Sequence, residues 1–299
     1  MSTVLAASAR TPSRMKKILL SPFVRIIFAI FFTALAGGLT LSFSSAIADK
    51  DALILWPEVF ASSAILLSYW IYVRLLEKRP VIELSGDKAF REFGAGLLIG
   101  TLMVATVIGM AYALGAYKMT GINSWSMTIV LPLAQMIFVG VFEEVLCRGI
   151  IFRITEQSLG SWAALAISAL VFGLAHVPGN GAGFLAISVM AVAGVFFSAA
   201  YMLTRRLWLC MGIHIAWNYV LGTIFSIPVS GHESNGLLLG QLSGPDWITG
   251  GPYGLEATIF TLFVLATLGA YFLWRAKLRN HFVAPFWRTN TDVGRGEQP

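Results

Sequence analysis

The sequence predicts an all-α polytopic membrane protein, a helical bundle with about eight transmembrane helices. Of its 299 residues, 57% are apolar and only 12% are charged, whereas about a quarter of the residues in a soluble domain are charged. The apolar residues are grouped in runs close to the length of about 20 residues that a spanning helix needs. Lys and Arg lie at the ends of these runs. This composition disfavours a soluble enzyme, a disordered chain and a disulfide scaffold.

Eight segments have the length and composition of membrane spans, the fourth being overlong and the fifth short. They are Ile26–Ala48, Leu53–Val73, Phe93–Tyr117, Trp125–Ile154, Trp162–Val177, Gly183–Leu203, Leu207–Ile227 and Glu256–Trp274.

The distribution of Lys and Arg predicts that both termini are cytoplasmic, because these residues favour cytoplasmic loops. The residues that mark this side are Arg10, Arg14, Lys16, Lys17, Arg25, Arg74, Lys78, Arg79, Lys88, Arg91, Arg153, Arg205, Arg206, Arg275, Lys277 and Arg279. The opposite loops hold Lys50 and Lys118, and Pro228–Leu255 has no Lys or Arg. We therefore expect a multi-pass protein of the cell inner or plasma membrane. The net charge of +6 is explained by topology and does not indicate a nucleic-acid partner.

Two local features have competing interpretations. Ala46-Ile47-Ala48 resembles a signal-peptidase site, but the preceding apolar run exceeds the ~7–15 residues of a signal peptide's apolar region, so we expect a retained span. The glycine-rich segment Pro228–Leu255 is either a lid or a slack connector, and its composition favours the connector. Cys147 and Cys210 lie inside apolar runs, and we interpret both as core residues.

The first unusual cluster of charges is Glu143-Glu144-Val145-Leu146-Cys147-Arg148. Ionisable groups inside a span are costly and point to function. Residues i and i+4 share a helix face, so Glu144 and Arg148 are expected to pair. Glu143 points elsewhere, and an unpaired carboxylate of this kind is a candidate general base.

Two further clusters have the same spacing. Phe172 and His176 lie at i and i+4, as do His214 and Asn218, so each pair shares one face of its helix. A single histidine in an apolar run is usually a core residue, but two of them together with a carboxylate pair favour a functional site.

The chain contains three motifs, each in a separate apolar helix: Glu-Glu-x-x-x-Arg, Phe-x-x-x-His and His-x-x-x-Asn. Together they resemble the motifs of the CPBP intramembrane proteases. This family includes the CAAX prenyl endopeptidases and the bacteriocin-processing and immunity (Abi) proteins. The resemblance covers Leu131 to Trp274, and the glycine-rich stretch at 250–256 resembles the approach to the family's last helix. It divides the chain into a basic cytoplasmic segment (1–25), accessory transmembrane helices (26–125), a catalytic membrane domain (126–275) and a cytoplasmic tail (276–299).

The resemblance implies an intramembrane endopeptidase that cuts a membrane-anchored, prenylated or other peptide substrate. It implies that Glu143 activates water with His176 and that Arg148 holds Glu144. It further implies that His214 and Asn218 stabilise the oxyanion. This scheme needs no cofactor. The alternative is a zinc site formed by Glu143, His176 and His214, since three protein ligands and an open position make a catalytic zinc centre.

The expected partners are a membrane-associated peptide or protein substrate and membrane lipid. Two other functions remain open from the sequence. One is a catalytically silent immunity or scaffold protein of the same family. The other is an electron-transfer protein with His176 and His214 as haem ligands, which leaves the Glu-Glu-x-x-x-Arg charges unexplained.

Overall fold

The computed structural model describes residues 21–48, 55–124 and 127–288, which form an almost entirely helical bundle. The helices are α1 (Pro22–Ile47), α2 (Trp56–Ile71), α3 (Ala89–Ala113), α4 (Met127–Glu144), α5 (Arg153–Ala175), α6 (Phe184–Thr204), α7 (Trp208–Asn218), α8 (Asp246–Thr249) and α9 (Ile259–Leu278). Two short strands are β1 (Tyr117–Ile122) and β2 (Leu238–Leu242). Several predictions fall outside the described residues. They concern Arg10, Arg14, Lys16, Lys17, Asp49, Lys50, the starts of the second and fourth spans at Leu53 and Trp125, and the tail beyond Arg288.

Six segments of the described chain are long and apolar enough to cross a membrane. They are Pro22–Ile47, Trp56–Leu76, Ala89–Ala113, Ile129–Ala175, Phe184–Thr204 and Ile259–Leu278. The all-α membrane fold predicted from the sequence is therefore confirmed, although length and hydropathy give six spans and not eight.

Two features account for the difference in number. The predicted fourth and fifth spans form one segment, Ile129–Ala175, which is broken at Gly160, where φ is 81° and ψ is 167°. A side chain at Gly160 would also clash with the backbone around Pro285, so the break depends on glycine. The predicted seventh span is α7, which has 11 α-helical residues extended by the π-helix Tyr219–Ile224.

Helix α3 lies in the range predicted to be accessory (26–125) but packs directly against α7, which carries His214 and Asn218. A Cβ atom at Gly96 would lie 2.5 Å from the carbonyl oxygen of Leu209, and one at Gly100 would lie 2.5 Å from that of Ile213. Small residues let two helix backbones approach closely in a membrane protein. An accessory helix thus supports the backbone of a helix that bears two predicted site residues.

Ion pairs stabilise one end of the bundle. Their arginines are among the residues that predict the cytoplasmic side. Glu77 binds Arg25 at 2.7 Å, Arg79 at 2.8 Å and Arg153 at 2.9 Å. Burial by itself raises the pKa of Glu77, but the nearby arginines, Arg153 above all, lower that pKa to about 2. Arg205 pairs with Glu156, and Arg206 with Glu92, at the same end.

The opposite end carries the segment Pro228–Leu255, which has defined structure and is not a slack connector. Strand β2 pairs antiparallel with β1, with an irregularity between Met119 and Gly121. The segment then forms α8 and a 3-10 turn at Gly251–Tyr253. Composition failed to predict this because several of the glycines that suggest slackness have a positive φ in defined turns, as at Gly250 and Gly254.

Candidate active site

A cavity of about 830 Å³ lies inside the bundle. Four of the predicted site residues line it: Glu143, His176, His214 and Asn218. They come from three helical segments that are far apart in sequence. His176, at the end of α5, lines the same cavity as Glu143 in α4. The other two predicted site residues, Glu144 and Arg148, lie behind the wall and are fully buried.

The adjacent carboxylates Glu143 and Glu144 have different environments. Consecutive residues on a helix point about 100° apart. The side chain of Glu143 is 29% exposed and lines the cavity, whereas that of Glu144 is completely buried. The geometry therefore separates one accessible carboxylate from one enclosed carboxylate.

Oxygen Oε1 of Glu144 accepts two hydrogen bonds from charged or ionisable partners. Nη1 of Arg148 donates to it at 3.0 Å, and Nδ1 of His214 lies 2.8 Å away. The first contact is the i, i+4 pair predicted from the sequence, and the second joins two helices. Because the carboxylate can only accept, Nδ1 of His214 carries a proton in this arrangement. Glu144 thus fixes the orientation of the His214 ring.

Two phenylalanines flank the buried guanidinium of Arg148. Its Cζ atom lies 4.7 Å from the ring centre of Phe172 and 4.9 Å from that of Phe197. Cation–π contacts of this kind stabilise a desolvated cation. Phe197 also stacks on His214, with ring centres 4.9 Å apart. No sequence pattern marks Phe197, since it is one aromatic residue in a continuous apolar run.

Phe172, the other residue of the Phe-x-x-x-His motif, orients His176. Its Nδ1 lies 2.8 Å from the carbonyl oxygen of Phe172, and a carbonyl can only accept. Nδ1 is therefore protonated, and the neutral ring keeps the lone pair on Nε2. The spacing Phe-x-x-x-His thus gives a histidine with a fixed tautomer as well as the aromatic contact with Arg148.

His214 presents its second nitrogen to Glu143. Nε2 of His214 lies 3.8 Å from Oε2 of Glu143, which is longer than a hydrogen bond. Asn218 is one turn further along the same helix and also lines the cavity. In its doubly protonated form, His214 can donate from Nε2 while Nδ1 remains bonded to Glu144.

The helices continue as π-helices directly after two of the motif residues. One π-helix, Val145–Phe152, begins after Glu144, and another, Tyr219–Ile224, begins after Asn218. In the first, the carbonyl oxygen of Gly149 accepts from the hydroxyl of Tyr69 at 3.1 Å and from Nε of Arg153 at 2.7 Å. Such π-helical turns occur frequently at functional sites, and here side chains satisfy a carbonyl next to Arg148.

Glu256 is a further carboxylate of the cavity wall and was not predicted as a site residue. Its Oε1 accepts from the indole of Trp217 at 2.7 Å, and its Oε2 accepts from the backbone N–H and the hydroxyl of Ser230. Glu256 is buried and connects the Pro228–Leu255 segment to α7. The available signal was a lone carboxylate at the start of the predicted last span.

The two cysteines differ in position. Cys210 is fully buried, as expected. Cys147 is partly exposed and lines the cavity, because it follows Glu143 by four residues and shares its helix face. Cys147 also packs, partly buried, against the hydrophobic core, so it is a core residue that borders the cavity.

The geometry does not assemble the zinc ligand set considered from the sequence. Among the described residues, no group of three His, Cys, Asp or Glu side chains is close enough to hold a metal ion. Nδ1 of His214 is occupied by Glu144, and Nε2 faces Glu143 at 3.8 Å. Glu143, His176 and His214 therefore do not fit a three-ligand site in this arrangement.

Residues 124–220 match the model of a protein family described as Rce1-like, type II CAAX prenyl endopeptidase. The matched range contains all six predicted site residues, so the family resemblance is confirmed there. The glycine-rich stretch at 250–256 lies beyond the match. Together with the apolar helices, the match supports a multi-pass integral membrane protein. No curated protein and no solved structure matches the chain.

Proposed function

We propose that the protein is an intramembrane endopeptidase that hydrolyses a peptide bond in a membrane-associated peptide or protein with water activated by Glu143 and His176. The observation that carries this proposal is the contrast between the two adjacent carboxylates. Glu144 is enclosed and paired with Arg148 and His214, whereas Glu143 faces a cavity that His176, His214 and Asn218 also line.

Each step uses a side chain that lines this cavity. The Glu143 carboxylate takes a proton from a water molecule, and the oxygen of that water bonds to the carbonyl carbon of the substrate. Nε2 of His176 accepts a hydrogen bond from the same water, because its Nδ1 proton is held by Phe172. The resulting oxyanion accepts hydrogen bonds from Asn218 and from Nε2–H of protonated His214, which are suitable oxyanion donors. The carbon–nitrogen bond then breaks, and Glu143 returns its proton to the leaving amine.

The environment of the site suits this chemistry. The cavity lies among apolar helices, where a fixed hydrogen-bond donor has more effect than in bulk water. Glu144, Arg148 and the two phenylalanines are already positioned, so the site needs little reorganisation during the reaction.

The test is cleavage by the purified full-length protein in lipid vesicles. A mixture of membrane-anchored peptides is incubated with the wild type, with Glu143→Gln and with Asp87→Asn, and the products are identified by mass spectrometry. Asp87 is an exposed carboxylate remote from the cavity, so its variant controls for a nonspecific loss of charge. We expect defined cleavage products from the wild type and from Asp87→Asn only. Equal products from all three proteins, or none from any, would contradict the proposal.

A further inference from the structure

The side chain of His176 is held by its own helix. In the described part of the chain, its hydrogen bond and its ring contact both go to Phe172, whose ring centre lies 4.5 Å away. His214, by contrast, is bonded to Glu144 on another helix. His176 is also the first residue after α5, and the ends of helices fray. The position of His176 relative to Glu143 therefore depends on what holds the end of α5.

The turn at 177–183, which follows His176, lies in close contact with the Pro228–Leu255 segment. A Cβ atom at Gly179 would lie 2.6 Å from the carbonyl oxygen of Ser230 and 2.9 Å from Cε2 of Tyr253. Real Cβ atoms do not approach other atoms so closely. Tyr253 is completely buried, so its ring has little freedom to move away. The contact therefore requires glycine at position 179.

The same close approach continues along the turn. A Cβ atom at Gly181 would lie 2.9 Å from the backbone nitrogen of Tyr253, and one at Gly231 would lie 2.4 Å from the backbone nitrogen of Asn180. The N–H of Gly231 donates to the carbonyl oxygen of Tyr253 at 3.3 Å, which joins the two parts of the segment that contact the turn. We call these parts the turn seat; it consists of Ser230, Gly231 and Tyr253.

A backbone hydrogen bond connects the turn seat to His176. The N–H of Gly179 donates to the carbonyl oxygen of His176 at 3.2 Å. Gly179 thus contacts the ring of Tyr253 on one side and is bonded to the backbone of His176 on the other. His176 and Gly179 both line the cavity. A displacement of the turn is therefore transmitted to His176 over three residues.

We propose that Tyr253 is a positioning residue, which holds the turn after His176 in place and thereby sets the distance between His176 and Glu143. This inference rests on the proposed function, in which these two side chains activate the water. It gives the Pro228–Leu255 segment a part in the chemical step. The family match ends at residue 220 and does not include this segment.

The role of Tyr253 differs from that of Glu256 in the same segment. Glu256 bonds Trp217 and Ser230, whereas Tyr253 contacts the turn with its own ring and backbone. Weakening the bonds of Glu256 leaves the contact between Tyr253 and Gly179 in place. A misplacement of about 1 Å at a reacting group can cost about 100-fold in rate. We therefore expect changes at Tyr253 and Gly179 to act mainly on kcat.

Two glycines of the turn provide a matched comparison. Gly179→Ala places a methyl group against Ser230 and Tyr253, whereas a Cβ at Gly183 would be 4.0 Å from its nearest neighbour. Neither glycine has a positive φ, so alanine is compatible with the backbone at both positions. The full-length proteins are compared in lipid vesicles with a membrane-anchored peptide that the wild type cleaves. We expect Gly179→Ala to lower kcat about tenfold to 100-fold with little change in KM, and Gly183→Ala to match the wild type.

Variants of Tyr253 test the ring itself and decide the question if Gly179→Ala does not fold. Tyr253→Phe keeps the ring atom that faces Gly179, whereas Tyr253→Leu removes the ring and leaves an apolar side chain. We expect Tyr253→Leu to lower kcat about tenfold or more and Tyr253→Phe to keep the wild-type value. Equal kcat values for these two variants, or a higher KM with kcat unchanged in Gly179→Ala, would overturn the proposal.

Hydrogen exchange measured by mass spectrometry tests the turn seat without any cleavage. A loosened turn opens more often, so the peptide 173–183 should exchange faster in Gly179→Ala and Tyr253→Leu, but not in Gly183→Ala. Equal exchange in all of these proteins would overturn the proposal. If the wild type cleaves no peptide, the proposed function fails, and the exchange rates still decide whether Tyr253 holds the turn.

Discussion

Nδ1 of His214 lies 2.8 Å from Oε1 of Glu144, the same oxygen that Arg148 reaches at 3.0 Å. The carboxylate of Glu144 therefore has two partners, one on its own helix and one on α7. It links the Glu-Glu-x-x-x-Arg motif to the His-x-x-x-Asn motif. We propose that Glu144 is a positioning residue, which leaves the adjacent Glu143 free for chemistry.

The first prediction concerns Arg148, which is fully buried beside Glu144. Arg148→Ala leaves the Glu144 charge without its cation, and breaking a buried pair in this way typically costs about 3–5 kcal/mol. We expect a large fall in the melting temperature of the detergent-solubilised protein. Adding Glu144→Gln removes the uncompensated charge and should recover part of the loss. A double variant no more stable than Arg148→Ala would show that the pair does not contribute as described.

The second prediction concerns the contact between α3 and α7. Gly96→Ala places a methyl group 2.5 Å from the carbonyl oxygen of Leu209, so the helices must separate, and overpacking of this kind costs about 1–3 kcal/mol. Gly94→Ala is the matched control, because a Cβ there has nothing within 4 Å. We expect a lower melting temperature and slower cleavage for Gly96→Ala only. Equal behaviour of the two variants would mean that α3 does not support the site helix.

The third prediction concerns Glu256, which holds both Trp217 and Ser230. Glu256→Gln can no longer accept all of these bonds, so the Pro228–Leu255 segment should loosen over the cavity. We expect a higher KM with a smaller change in kcat, together with a red shift in tryptophan emission. Asp246→Asn removes an exposed carboxylate of the same segment and should change neither property. If the emission and KM of Glu256→Gln match the wild type, Glu256 does not hold the segment in place.

The fourth prediction is a pH dependence at the ion-pair end. The pKa of Glu77 is lowered to about 2 in the folded protein, from an ordinary value of 4.5. As the pH falls, Glu77 is protonated in the unfolded chain before it is protonated in the folded protein. The stability that its ion pairs contribute is therefore fully present above about pH 4.5 and is lost between about pH 4.5 and about pH 2. We expect the melting temperature of the wild type to fall more steeply than that of Glu77→Gln from about pH 7 to about pH 3.5. Parallel curves would contradict the role of Glu77.

The sequence predicted the class of fold and the Glu144–Arg148 pair, because both depend on patterns along one helix. Twenty-residue apolar runs identify spans, and the i, i+4 spacing correctly paired Glu144 with Arg148. Contacts between helices leave no such pattern. Three contacts depend on how separate segments pack. They are the bond from His214 to Glu144, the stacking of Phe197 on His214 and the hydrogen bonds between Ser230 and Glu256. The structured Pro228–Leu255 segment was missed because its turn glycines resemble those of a flexible linker.

The central claim is that the two neighbouring carboxylates have different tasks, and one comparison tests it most directly. Cleavage rate and melting temperature are measured side by side for Glu143→Gln and Glu144→Gln. General-base catalysis contributes typically ~10²–10⁴-fold, so we expect Glu143→Gln to lose at least ~100-fold in rate while its melting temperature stays unchanged. Glu144→Gln should lower the melting temperature, because it weakens the bonds to Arg148 and His214. A well-folded Glu143→Gln protein that cleaves at the wild-type rate would contradict the assignment of Glu143 as the base.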